Sequence, residues 1–224
     1  MNRLILKIFF VLCVCISTAQ YSHAIISSGL IDEPNGSISK ALCFTPQLND
    51  EFFAENLEKI KRENPSLYQR MLIPKSMYKT SKVGDLQTFF VNVDDGNGNS
   101  ETVELVTELL AKGDHSAIWA DTTKIGSAIT ATEAATYLKA FEENTPGASR
   151  DSTKGIYDLL LEYFGDVPNK DGDGIVDYVF ADLPPGIGGY FSPLDQTDQT
   201  GSNKRDVLYI DIFMNDEYSK SVIA

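Results

Sequence analysis

Residues 169–182 read Asn-Lys-Asp-Gly-Asp-Gly-Ile-Val-Asp-Tyr-Val-Phe-Ala-Asp. This stretch constrains the fold most, because an acidic loop runs straight into an apolar, β-branched and aromatic run. Oxygen-bearing side chains recur at Asn169, Asp171 and Asp173, Gly174 stands sixth, and Asp177 stands ninth. Calcium needs several hard oxygens at close range, and alternation in a tightly wound loop delivers them. The expected ligands are Asn169, Asp171, Asp173, the carbonyl of Ile175, and Asp177, with Asp166 and Asp182 as candidate additions. The twelfth position is Phe180, where an EF-hand carries its bidentate Glu. Ile175–Ala181 also reads as a strand rather than an exit helix, which excludes an EF-hand. The bland alternative is an Asx-rich turn with solvated carboxylates. Asp94–Asn99 carries a weaker form of the same pattern and reads as a polar hairpin turn.

Around this loop the pattern alternates between strands and helices. Residues 49–72 show helical spacing at Phe53, Leu57, Ile60, Leu67 and Met71, with Asn49 as N-cap and a break at Pro65. From Val83 onward, GDLQTFFVNV, ETVELVTELLAKG and HSAIWAD read as three strands, the first two joined by DDGNGNS. Val103, Leu105, Leu109 and Leu110 also fit a helical face, so the second of these has a competing reading. Thr130 and Glu133 form a capping box ahead of a helix with Ala134, Leu138 and Phe141 on one face. Ser152 is the expected cap of the next helix, with Ile156, Leu159, Leu160 and Tyr163 inward and Gly165 as its stop. A Gly-rich PPGIGGYF and a terminal strand, Val207–Asp211, follow. Ser219–Ala224 then looks like the first turns of another helix.

The first 24 residues stand apart. Arg3 and Lys7 give a basic start, the stretch Leu4 to Ile16 is apolar apart from Lys7, and Ser22-His23-Ala24 offers small residues at a cleavage site. This is the layout of a secretory signal, and the run is short for a membrane span. The chain is therefore expected to be secreted or periplasmic, with no transmembrane span once the signal is cleaved. Loss of Arg3 and Lys7 leaves 17 basic against 32 acidic residues, a net charge of −15. That argues against nucleic acid as a partner and favours cations. Only Cys43 survives cleavage, so stability must come from a core or from metal ions rather than an internal disulfide. An apolar content of 42% is enough for such a core.

The order KGDHSAIWAD, two helices, DGDGIVDYVFAD, GIGGYFSPLD, DVLYIDIF and YSKSVIA resembles the N-terminal half of secreted bacterial zinc metallopeptidases of the hyicolysin-like type, a zincin family. The resemblance covers about Leu86 to Ala224, carried by short motifs in order. In that family an H-E-x-x-H helix follows the strand that VLYID resembles. Its two histidines bind zinc and its Glu activates the bound water. The resemblance places that motif just after Ala224. The chain itself has two histidines, His23 and His115, and His23 leaves with the signal. No catalytic residue and no zinc ligand is therefore expected here, although full-length relatives use zinc. In zincins an edge strand pairs with an extended peptide or protein substrate, and the resemblance nominates Gly189, Tyr190 and Phe191 for that edge.

The expected fold is α+β: a signal peptide (1–24), a lead or pro-segment with one helix (25–82), and a mixed twisted sheet with two packed helices (83–224), an incomplete upper lobe of a zincin-like domain. The expected function is the N-terminal portion of a secreted zinc endopeptidase, inactive as this chain. The alternative is a complete secreted calcium-binding interaction module without catalysis. An incomplete lobe is expected to expose an apolar sheet face that self-associates.

Overall fold

The computed structural model describes residues 42–43, 49–73, 81–145 and 151–213. The expected signal peptide, the segment before Leu42 and the helix opening at Ser219 lie outside the described residues, as does the side chain of Cys43.

Among the described residues of the lead segment there are two helices rather than one. α1 spans Asp50–Glu63, and the Asn49 side chain accepts the Phe52 N–H at its start. Asn64 ends α1 and caps α2 (Pro65–Met71), accepting from Leu67 N. Pro65 sits at the first turn of α2, where its missing N–H would have had no helical partner.

The strands are β1 (Leu42–Cys43), β2 (Leu86–Asp94), β3 (Ser100–Lys112), β4 (Ser116–Asp121), β5 (Val176–Ala181), β6 (Ile187–Phe191) and β7 (Val207–Asp211). They form one mixed sheet in the order β1-β6-β7-β5-β4-β3-β2. β2, β3 and β4 are an antiparallel meander; β4, β5 and β7 run parallel; β6 is antiparallel to β7 and parallel to β1. The helical spacing in β3 loses to pairing on both sides, with β2 and with β4, and the register shifts between Leu109 and Ala111. Every residue of β4 and of β5 is buried, as expected of central parallel strands covered on both faces.

The crossover between β4 and β5 carries α3 (Ala131–Glu142) and α4 (Ile156–Phe164). The Thr130–Glu133 capping box is complete in both directions. α4 starts later than Ser152 suggests: Gly155 is its N-cap. A side chain at Gly155 would put its Cβ 2.4 Å from the Phe141 carbonyl oxygen, so the chain enters α4 against the end of α3. Gly165, at φ +81°, ends α4 in a conformation glycine adopts freely. Tyr163 was expected to face inward but is half exposed, because only Ile156, Leu159 and Leu160 reach the core from this short helix.

Both faces of the sheet are covered. Ile118, Ala120, Tyr178, Phe180, Leu208 and Ile210 pack beneath α3 and α4. Trp119, Val179, Tyr190, Tyr209, Phe89 and Val91 form the opposite layer, joined by Phe52 and Phe53 of α1. The sheet curls far enough for the outer edge of β2 to close on the far side. Phe90 N donates to Asn203 Oδ1 (2.8 Å), Asn92 N to the Tyr190 hydroxyl (2.9 Å), and Asp94 N to the Asp182 carbonyl (3.1 Å). An edge satisfied in this way offers no template for another chain. The exposed large apolar side chains among the described residues, such as Ile73, Val83 and Leu86, do not belong to the faces of β4, β5 or β7, whose apolar residues are buried.

Candidate calcium loop and substrate strand

The loop before β5 is wound by its own side chains. Asn169 Oδ1 accepts the Gly174 N–H (3.0 Å), Asp171 Oδ1 accepts Asp173 N (3.3 Å), and Asp173 Oδ1 accepts Ile175 N (2.8 Å). Gly172 and Gly174 take φ of +79° and +74°, which lets the backbone coil this tightly. Each of these Oδ1 atoms keeps a second lone pair.

The remaining carboxylate oxygens turn inward to one guanidinium. Arg205 Nε lies 2.8 Å from Asp177 Oδ2 and 3.3 Å from Asp171 Oδ2, and Nη2 lies 3.7 Å from Asp173 Oδ2. The Arg205 side chain is 4% exposed, and Asp177 is 1% exposed. The Asp177 contact is ionic rather than directional, since neither Asp177 Oδ2 nor Arg205 Nε makes a hydrogen bond within the protein. Asp177 Oδ1 accepts the Trp119 indole N–H at 2.7 Å. Fully ionised, the three carboxylates exceed the guanidinium by two negative charges in a site shielded from water. Burial accordingly pushes the Asp177 carboxyl up to about 7, against the opposing pull of Arg205. Burial and the neighbouring Asp173 also raise Asp171. Asp206, which accepts Lys170 N at 2.7 Å and the Gln196 amide at 3.1 Å, is raised to about 6, again chiefly by burial.

The donor chemistry fits calcium: oxygen only, charge in excess, and a loop coiled for close approach. Among the described residues no three His, Cys, Asp or Glu side chains gather around one point as metal donors. The loop carboxylates gather around Arg205 instead. Asp182 cannot join them, because five residues of extended chain, about 16 Å, separate it from Asp177, and it pairs with Lys124 at 2.9 Å. Asp94–Asn99 is a turn in which Asp94 and Asp95 each accept two backbone N–H groups. His115 stacks its ring on Tyr157 at 4.3 Å, and its backbone N–H donates to Glu142.

Gly189, Tyr190 and Phe191 all lie in β6. Tyr190 is a core residue through its side chain, stacked on Tyr209 at 4.4 Å, so at this position the backbone, not the side chain, is what a peptide could meet. β6 borders β7 on one side and the two-residue β1 on the other.

No family model matches this chain, and no curated protein matches it.

The loop and β6 are joined by residues that sequence reasoning missed. Gln196 ends a 3₁₀ turn (Pro193–Gln196) that follows β6, and its amide donates to Asp206 and to the Arg205 carbonyl. Asp195 in the same turn accepts the Tyr209 hydroxyl (2.6 Å) and Asn203 N (2.7 Å). The acidic cluster therefore anchors the end of β6 through hydrogen bonds rather than touching it directly. The signal for Arg205 was its position: parallel pairing sets Asp177 beside Val207, which brings the residues just before β7 against the loop before β5.

Proposed function

We propose that this chain is the substrate-strand lobe of a secreted zinc endopeptidase, inactive by itself, with calcium at the Asn169–Asp177 loop holding the lobe in shape. The observation that carries the reading is the place of β6: a strand antiparallel to β7 and second from the end of the sheet, whose outer edge is paired, among the described residues, with Leu42 and Cys43. An extended peptide adds to such an edge through main-chain hydrogen bonds. Zinc chemistry belongs to the H-E-x-x-H motif of the resembling family, and these 224 residues do not contain that motif. The role of this chain's residues is to bind and align. Calcium would be held by Asn169, Asp171, Asp173, the Ile175 carbonyl and Asp177. It would offset the excess negative charge around Arg205 and so stiffen the Gln196–Asp206 link to the end of β6.

The test is to incubate the purified chain with labelled casein, with added zinc and with a chelator. No cleavage above background is expected; chelator-sensitive cleavage overturns the reading. Calorimetric titration with Ca²⁺ is expected to release heat with one-site stoichiometry, and no heat at millimolar calcium removes the metal from the proposal.

One observation favours a second reading, a secreted calcium-binding interaction module without catalysis. The apolar residues of β7 are buried, with Leu208 and Ile210, and Ile212 just past the strand, inside the core. Cooperative unfolding with slow hydrogen exchange in β7 supports the module; a molten or aggregated chain supports the lobe.

A further inference from the structure

We propose that Asn97 is a site of spontaneous covalent modification: its side-chain amide is lost through a cyclic imide with Gly98, under the restraint of Asp94, and conversion loosens the corner where β2 closes the sheet. Neither the calcium loop nor β6 takes part.

Asn97-Gly98 lies between the end of β2 and the start of β3, and both residues are exposed. Gly98 sits at φ +84°, and a Cβ added there would meet no atom within 4 Å. With no side chain on Gly98 and open space around it, its nitrogen is able to approach the Asn97 side chain closely. Ring closure needs that approach.

Water is the only co-reactant. The Gly98 nitrogen attacks Asn97 Cγ and an N–Cγ bond forms. The Cγ–Nδ2 bond breaks, and the leaving group takes the Gly98 amide proton and departs as ammonia. Water then opens the imide. Addition at Cγ leaves an aspartyl residue at position 97. Addition at the main-chain carbonyl leaves an isoaspartyl residue, which carries an extra methylene in the main chain.

The turn restrains this reaction. Gly98 N donates to Asp94 Oδ1 at 3.0 Å, and Gly96 N donates to the same oxygen at 3.1 Å. A nitrogen held as a donor to a carboxylate must give up that bond before it attacks. The neighbouring residues are worse placed. The Asn99 amide is tied to Asp95 Oδ2 at 3.2 Å, and Ser100 rather than a glycine follows it. Asp95 precedes Gly96, but the Asn97 and Asn99 N–H groups bonded to its carboxyl hold it below the usual range, and a carboxylate is a poor electrophile.

Conversion undoes the turn that contains it. Asp95 Oδ1 accepts Asn97 N at 2.7 Å and Asn99 N at 3.1 Å, and the Asn97 side chain adds a further hydrogen bond to Asp95. Either product replaces that donor with a carboxylate, a like charge beside Asp95. The isoaspartyl link also lengthens the main chain between the two N–H groups. The turn directly follows Asp94, whose N–H donates to the Asp182 carbonyl at 3.1 Å where the curled sheet closes. Losing the turn frees this end of β2, and an unpaired strand end is the beginning of an open edge.

The experiment ages the full chain at mildly alkaline pH beside Asn97→Gln, Asp94→Ala and Asp94→Asn. Peptide mapping by mass spectrometry reads conversion at position 97, and enzymatic methyl labelling reads the isoaspartyl share. The other Asn-Gly pair, Asn35-Gly36, lies outside the described residues and is mapped as a separate peptide. Exchange of α3 and α4 amides checks that each variant is folded. The parent is expected to gain aspartyl and isoaspartyl product at position 97, and Asn97→Gln to gain neither. Asp94→Ala is expected to convert about fivefold or more faster than the parent, the weight of one hydrogen bond. Asp94→Asn, which keeps an acceptor, should fall between the two. The converted chain should exchange its Asp94 amide faster, with α3 and α4 unchanged. No conversion at position 97 in either the parent or Asp94→Ala overturns the site. Equal rates in those two overturn the restraint by Asp94, and unchanged exchange at Asp94 after conversion overturns the loosened corner.

Discussion

At the scale of single residues the molecule turns on Arg205. It is one buried cation set against three carboxylates. Replacing Arg205 by Met removes the cation that these carboxylates face and leaves buried negative charge, a change that costs about 3–5 kcal/mol in comparable sites. Urea unfolding at neutral pH is expected to show that loss, and calcium is expected to restore more stability to Arg205→Met than to the parent. The pH dependence has a definite sign. Asp177 and Asp206 titrate near 7 and 6 in the fold, against 3.8 for the ordinary carboxyl. Between pH 4 and 7 the folded, metal-free chain therefore holds protons that the unfolded chain releases, and its stability falls as pH rises through that window. For Asp177 alone the fall is on the order of 4 kcal/mol at full ionisation. Asp177→Asn is expected to flatten the slope of unfolding free energy against pH. An equally steep slope in that variant would mean that Asp177 is not the group responsible.

At the scale of elements, much was legible because the signals were local. The Thr130–Glu133 box, the Asn49 cap, the break at Pro65 and the Gly165 stop each use residues within one turn of each other, and each appears where its spacing says. β3 needed non-local information: its helical spacing is real, and it is a strand because β2 and β4 flank it. The start of α4 was misread for the same reason. Ser152 has the chemistry of a cap, but the junction is fixed by Gly155 touching the end of α3, a contact no local pattern reveals. This yields a paired prediction. Gly155→Ala drives a methyl into the Phe141 and Glu142 backbone and is expected to cost about 1–3 kcal/mol, as overpacking does. Ser152→Ala is expected to be neutral. Thermal melts of the two variants check both; equal melting points would mean that the α3–α4 junction yields freely. The candidate site divides along the same line. The loop oxygens were legible because they alternate in sequence. Arg205, Trp119 and Gln196 were not, because only the parallel pairing of β5 and β7 and the turn after β6 bring them to the loop.

At the scale of the whole molecule, the question is whether calcium acts at one place or through the general charge of an acidic chain. The sequence carries a net charge of −13, so any salt screens its self-repulsion and stabilises the fold a little. Site binding has a different signature. A ligand that binds only the folded state adds about 2.7 kcal/mol at a hundred times its dissociation constant. For a chain of this size that is a rise of roughly 5–10 °C in melting temperature. The expected result is such a rise with calcium chloride, a much smaller one with sodium chloride of equal ionic strength, and little rise in a chain carrying Asp171→Asn with Asp173→Asn. Magnesium should do less than calcium, because it demands a compact octahedral shell and keeps its water, whereas this loop offers a spread of side-chain and carbonyl oxygens. Because Gln196 and Asp206 link the cluster to the turn after β6, exchange at Phe191 and Ser192 should slow when calcium binds. A melting rise without that slowing would confine the metal to the loop and detach it from the substrate strand. An equal response to sodium and calcium would reduce the loop to an acidic turn neutralised by Arg205.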